Sequence, residues 1–475
     1  EERAALYKEA LSQVNNLAAA LQPDLVAIRR HLHMHPELSN AEVETAQFIE
    51  QELRKVDGVE DIQTRIGGTQ GLTCLVRGTA PGLEPTVTGR PMRLLIRADM
   101  DALPLEDGKA DSPYRSTVPG VTHACGHDAH VACLLGAIRI LTQLRRFFHG
   151  EVLCVFQPAE ETTGGARRMV AAGVMGHFVA APGKDLNEEY PEGAVPDVTV
   201  DAALALHVMT EVPVGQIAVK QGAMYASEDD YHILVKGKGG HASNPHLAIN
   251  PVFVACNIVV QATGWLTRNV STFDANVFSL TTINGGTKSN IIPSSCEITG
   301  TLRTHDESLR QSINERLTTF IETVARADEA EAEVTIHRGY SSGHCDASFV
   351  KLVSDAATQL LGPDAVERLE YPEMGAEDFF EFSLQNTIPC VMFWLGCANE
   401  EAGIIEDNHH PNFNIDEECL QTGSAVFAAS ALRFFCFGLP SGLRGSSSFQ
   451  GSQLSNSSMG SASDLAVHCP QQPTL

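Results

Sequence analysis

The stretch Thr122-His123-Ala124-Cys125-Gly126-His127-Asp128-Ala129-His130 sets a thiol and an imidazole two residues apart, just ahead of an apolar run with helical spacing. A thiolate and an imidazole on a turn that opens a helix can both face one metal site. Together they suit zinc and its neighbours in the transition series. The helix N-terminus also favours the thiolate over the thiol. A Cys-x-His pair alone is more often ordinary core or surface, so its weight depends on its company.

That company is spread along the chain. The apolar run Met92–Ala98 leads into Asp99 and Asp101, which a bland reading makes turn caps. Glu151–Gln157 reads as a buried strand and runs into Pro158-Ala159-Glu160-Glu161. Neighbouring side chains point different ways, so one glutamate of this pair can bind metal while the other faces substrate. The alternative is an acidic helix start. A third buried strand, Ala202–Leu206, ends in His207, and Asp407–Phe413 carries His409 and His410. Strands that end repeatedly in metal-binding or acid–base residues fit an α/β sheet, whose chemistry collects at the carboxyl ends of its strands. His31, His33 and His35 alternate, which suits one extended face closed by Pro36.

The elements that must position these residues fall into two kinds. Residues 1–30 show apolar recurrence at threes and fours, and a second helix is expected over 41–55. Strands are expected near 71–77, helices at 373–380 and 418–435, and a strand at 389–396. Between them the texture changes. Tyr231–Val235 alternates, a Gly-rich turn carries His241, and helices are expected at 248–268 and 307–327. Strands at 278–283, 297–303 and 333–337 complete the β-α-β-β-α-β order of a split βαβ, ferredoxin-like module. The expected fold is α/β. Its catalytic sheet domain is discontinuous (1–224 and 336–438) and a smaller α+β lid or dimerisation domain (225–335) is inserted in it. Residues 182–198 read as a polar Pro-rich loop and 439–475 as a disordered Ser-rich tail.

At 475 residues, two domains are the default. A formal charge of −26 argues against nucleic acid and against an anionic membrane. No apolar run suggests a membrane span. The scattered cysteines, with Cys133, Cys154 and Cys256 in apolar runs, predict reduced core thiols and a cytoplasmic location.

Taken in order, Arg30–Leu38, Arg97–Pro104, His123–Asp128, Gln157–Glu161, Gly239–His246, Gly285–Pro293, Met374–Phe379 and His409–Phe413 closely resemble the dinuclear-metal amidohydrolases that cleave N-acyl amino acids, hippurate and auxin–amino acid conjugates. These belong to the aminoacylase/carboxypeptidase superfamily. The resemblance spans residues ~25–435. It implies two divalent metal ions per subunit, zinc or manganese, held by Cys125, His127, Glu161, His207 and His409. In relatives the ligand His stands four residues before an aromatic, which selects His409 over His410. The resemblance further implies Glu160 as general acid/base and His241 as a residue delivered to a partner subunit's site, in a homodimer formed through the lid. It places Asn290 and Arg303 at the substrate carboxylate. Departures are Asn250 where an acid usually precedes the Pro, the longer 182–198 loop and the extra tail.

Amide hydrolysis needs an activated water, a polarised carbonyl and a protonated leaving nitrogen. One thiolate, three imidazoles and one carboxylate can hold two metals, with Cys125 the natural bridge. Asp99 is the candidate partner behind a ligand histidine. The implied reaction is hydrolysis of an N-acyl amino acid, with a metallo-carboxypeptidase or dipeptidase as the alternative. A cysteine hydrolase built on Cys125 and His127 has poor nucleophile–base geometry and leaves Glu160, Glu161 and His207 idle. A non-catalytic binding protein on the same frame is expected to have lost ligands, and none is missing.

Overall fold

The computed structural model describes residues 2–81, 90–162, 164–177 and 197–440. The expected tail and most of the 182–198 loop lie outside them. The chain opens with α1 (Glu2–Met34) and α2 (Val43–Arg54), then β1 (Val59–Thr64), β2 (Leu72–Arg77) and β3 (Arg93–Asp99). Helix α3 (His127–Gln143), β4 (Glu151–Gln157) and α4 (Gly165–Ala171) follow, then the short pair β5 (Gly176–His177) and β6 (Asp197–Val198). Next come β7 (Ala202–Pro213), β8 (Ile217–Val219) and β9 (Gly222–Tyr225).

The middle of the chain supplies β10 (Ser227–Lys236), β11 (Gly240–His241), α5 (Pro251–Asn269), β12 (Asn276–Gly285) and β13 (Ile291–Ile292). It ends with β14 (Ser295–Thr304), α6 (Glu307–Ala327) and β15 (Glu331–Arg338). The remainder is β16 (Gly343–Cys345), α7 (Ala347–Leu361), β17 (Val366–Arg368), β18 (Cys390–Ala398) and α8 (Cys419–Phe437).

Eight strands form one sheet in the order β1-β2-β4-β3-β7-β18-β8-β17. Its centre, β4-β3-β7-β18, is parallel. These strands are almost continuously apolar and buried, as parallel strands covered on both faces must be. The chain steps from β3 to β4 on one side and then to β7 on the other, so the strand order reverses around β3. That reversal opens a crevice at the carboxyl ends. Helices α1, α3, α7 and α8 pack together with the sheet in one large apolar core.

Four strands form a second sheet, β12-β14-β10-β15, all antiparallel, backed by α5 and α6 around a separate core. The connectivity is that of the split βαβ module expected from the sequence. Alternation is visible in β10, whose Tyr231, Ile233 and Val235 face the helices. Among the described residues no strand pairs with the outer side of β12 at the sheet's margin, and Val277 and Ile283 on it are exposed.

Some expectations need correction. His31 and His33 lie in the last turn of α1, not on an extended face. His31 and His35 approach each other one turn apart, at 4.6 Å between ring centroids. His33 turns inward, because its ring bonds the buried Asp128 (2.7 Å). Residues 373–380 do not open a regular helix: a short 3-10 segment, Asp378–Ser383, stands there. Its acidic residues are drawn into buried ion pairs and its phenylalanines are buried, so no amphipathic stripe exists. Strand β7 continues six residues past His207. Cys133 and Cys154 are buried, but Cys256 is exposed on the outer face of α5. Helix α8 is long and apolar enough to cross a membrane, which the sequence reading did not register; it is 83% buried inside the protein, as the helix of a core is.

Candidate active site

Asp99 and Asp101 close β3, the Glu160 turn follows β4, His207 lies on β7, and residues 407–413 follow β18. All four strands are parallel neighbours, so these segments meet at one end of the sheet. Cys125 enters from the turn before α3. Gly126 makes that turn possible: its φ is +87°, and a Cβ there would lie 2.2 Å from Val208. His127 is then the first residue of α3. His409 has a left-handed φ of 67°, rare for a residue with a side chain. Its amide donates to the Ala124 carbonyl (2.7 Å), and Asn408 Nδ2 donates to the Cys125 carbonyl (3.1 Å). The two loops are thus laced together.

The side chains converge. Cys125 Sγ is 3.4 Å from His207 Nε2, and Glu161 Oε1 is 3.4 Å from His409 Nε2 and 3.8 Å from His127 Nε2. Cys125 belongs to two trios whose ligand atoms lie within 4.8 Å of one another, one with His127 and His207, the other with Glu161 and His409. His410 instead faces Glu406 at 3.4 Å, on the surface. His127 Nδ1 donates to the Asp101 carbonyl (2.9 Å) and His207 Nδ1 to the Val208 carbonyl (2.9 Å). Those bonds aim each Nε2 into the cluster. His127 Nε2 and Glu161 Oε1 are buried without a hydrogen-bond partner. Orphaned polar atoms of this kind, with a thiol among them, fit divalent metal ions of borderline softness.

The sequence reading sets Asp99 behind a ligand histidine. The structure gives that position to Asp101. Asp99 Oδ1 instead binds His130 Nδ1 (2.6 Å), whose Nε2 accepts from the Val208 amide (3.0 Å). Asp99 Oδ2 accepts from Arg97 (2.7 Å) and lies 3.5 Å from His127 Nε2, on the cluster side of that ring. Asp101 also accepts from the amides of Glu160 and Glu161, both at 3.1 Å, and from Ser39 (2.7 Å). Glu42, from the entry to α2, accepts from the Ala159 amide (2.9 Å), and Ala159 has a φ of 54°. The Ala159–Glu161 turn is thus gripped by two carboxylates that the sequence left without a role. An acid placed two residues past Asp99 at the same strand end was the one signal for Asp101; Glu42 left none.

Glu160 is buried. Burial, then the nearby charges of Glu377, Glu161 and Asp378, push its carboxyl well above the usual range. Arg97, fully buried, bonds Glu377 (2.9 Å), Asp378 (3.0 Å) and Gln157 (2.8 Å), so one guanidinium neutralises a nest of acids behind Glu160. Burial disfavours charge on His127, but Asp99, Cys125 and Asp101 outweigh it and hold that imidazole well above its ordinary pKa. The neighbouring Cys125 and Glu161 raise His409 to about 10. Burial lowers His207 and raises the Cys125 thiol. Loading such a set with metal displaces protons.

The lid-module candidates lie elsewhere. His241 is exposed on β11, where its Nδ1 accepts from the Ser243 amide (3.1 Å). The Asn290 carbonyl accepts from the Ala242 amide (3.1 Å), and Arg303 pairs with Glu228 (2.8 Å). Among the described residues, no hydrogen bond or ion pair ties these three to the cluster of their own chain. A cavity of about 1000 Å³, lined by Arg90, His344, Ser348 and Pro389 among others, opens by the amino ends of the strands and contains none of the cluster.

Residues 95–433 match the family described as peptidase family M20/M25/M40. The chain is 34% identical over 417 residues to N-acetylcysteine deacetylase of Bacillus subtilis, covering 87% of this chain and 97% of that one. It is 33% identical over 426 residues to thermostable carboxypeptidase 1 of Saccharolobus solfataricus, covering 89% and 98%. Among solved structures it is similar to the Bacillus subtilis YXEP protein, described as a dinuclear metal binding peptidase from the M20 family. The TM-score is 0.70 at 31% identity, over 88% of this chain and 99% of that one.

Proposed function

Since the chain belongs to peptidase family M20/M25/M40 and is a hydrolase acting on amides, we propose that it hydrolyses the amide bond of N-acyl amino acids, releasing a free amino acid and a carboxylic acid. The observation that carries this reading is the buried Glu160 standing beside Glu161 at the mouth of a Cys–His cluster. Cys125, His127, Glu161, His207 and His409 would hold two divalent ions, zinc or manganese. When bound, such ions lower the pKa of a water and polarise the scissile carbonyl.

The chain's own groups do the rest. Glu160 accepts a proton from the attacking water as its oxygen bonds the carbonyl carbon. It then delivers that proton to the leaving nitrogen as the C–N bond breaks. Burial and the neighbouring acids raise the carboxyl, which makes its ionised form a stronger base toward the water. Asp101 and Glu42 fix the turn that carries it. His241, supplied by the partner in a homodimer formed through the small module, donates to the oxyanion, while Asn290 and Arg303 receive the substrate carboxylate. The two-part division of the chain, with residues 225–335 as the lid, belongs to this proposal.

Two measurements test it. Glu160→Gln keeps the metal content and loses about 10²–10⁴-fold in kcat, whereas Glu161→Gln loses metal. The opposite pattern reverses the two assignments. Exhaustive chelation abolishes turnover, and Mn²⁺, Co²⁺ or Zn²⁺ restores it; full activity of the metal-free protein refutes the reading. A carboxypeptidase or dipeptidase activity is the second reading, favoured by the Saccharolobus relative's name. A panel of N-acetyl, N-benzoyl and indole-acetyl amino acids set against short unblocked peptides separates the two.

A further inference from the structure

The small module is joined to the large sheet by two segments, one entering β10 and one leaving β15. They are bonded to each other: the Gly339 amide donates to the Glu228 carbonyl (2.8 Å) and the Glu228 amide to the Tyr340 carbonyl (3.1 Å). Arg310 of α6, almost fully buried, braces them by bonding Asp229 (2.6 Å) and the carbonyl of Glu228 (2.6 Å) on one segment and the carbonyl of Gly339 (3.4 Å) on the other. From the other side, Arg167 of α4 donates to the Gly339 carbonyl (3.1 Å). The crossing between the modules is therefore a bonded joint and not a pair of independent linkers.

Tyr340 leaves this joint toward the cluster. Its ring lies over Gly164, where a Cβ would stand 3.1 Å from Cε1. Its hydroxyl donates to the carbonyl of Glu160. Burial first, then the charges of Asp378 and Glu160, push the phenol far above its ordinary pKa, so it remains a donor. The Glu160 amide is already held by Asp101 and the preceding amide by Glu42. The carbonyl is the third hold, and it alone comes from the joint.

We propose that Tyr340 is a positioning residue for Glu160, tying the main chain of the catalytic carboxylate to the connection between the two modules. The inference rests on Glu160 being the general acid/base. Tyr340→Phe removes only the hydroxyl and keeps the ring over Gly164, and Tyr340→Ala removes both. In the metal-loaded enzyme, Tyr340→Phe lowers kcat by about tenfold, the worth of one well-placed hydrogen bond. KM, metal content and Tm stay at wild-type values, and amide exchange over residues 159–162 becomes faster. Wild-type kcat in Tyr340→Phe overturns the proposal, as does a fall in kcat that merely follows lost metal or lowered Tm. A defect confined to Tyr340→Ala assigns the residue to packing. Glu160→Gln is measured alongside: if it stays active, the acid/base reading fails, and if it is inactive while Tyr340→Phe is normal, only the present inference fails.

Discussion

Glu42 shows how a residue without chemistry of its own serves the site. It holds the Ala159 amide, and burial raises its carboxyl from the usual 4.5 to about 7. The folded protein therefore keeps a proton that the unfolded chain releases. The stability tied to it is complete below about pH 4.5 and is lost as the pH rises to about 7, by at most ~3 kcal/mol. Glu42→Gln cannot ionise, so the unfolding free-energy difference between wild type and variant should change steadily from pH 4.5 to 7.5; a constant difference would show that Glu42 does not titrate in this range. At this scale Cys125, His127, the Glu160–Glu161 pair and His207 were legible as candidates, because metal-binding or acid–base groups recur where apolar runs end; the choice of Glu161 and His409 came from the family resemblance. Asp101 in its true role, Glu42, Asn408 and Tyr340 were not. They act by hydrogen bonds to main-chain groups, and such bonds leave no period or motif in a sequence.

Helices and strands were read where burial follows a simple period. The strand Glu151–Gln157 and the helix Glu307–Ala327 have the expected bounds, since the first is continuously apolar and the second amphipathic. The 3-10 segment at 378–383 was misread because ion pairs with Arg97, remote in sequence, decide its shape. Marginal strands such as β8 and β17, three residues each, have too few side chains to show alternation. Helix α8 is apolar on every side because helices and the sheet surround it. Phe427, fully buried and edge-on to Phe393 at 5.5 Å, lies in that contact. Phe427→Ala should cost about 3–5 kcal/mol in chemical denaturation; a loss under about 1 kcal/mol would mean that the helix is not packed as described.

The described residues form two apolar cores, each with its own sheet. The texture change near residue 225 was legible as a shift from buried parallel strands to alternating ones. If His241 acts across a dimer, His241→Ala and Glu160→Gln should complement each other. In a co-refolded equimolar mixture about half the dimers are mixed, each with one site free of both defects, so activity should return to about a quarter of wild type. No recovery, with mixed dimers verified by native mass spectrometry, would place His241 in its own chain's site.

The two margins of the small sheet are not alike. Along β15 the outer strand carries Glu331, Glu333 and Arg338, charges that discourage any further strand from adding on. Along β12, from Asn276 to Gly285, there is no charged residue at all. Nothing in its own side chains stops that margin from templating another chain, correct or not. An open margin without charge is the place where strand addition would begin.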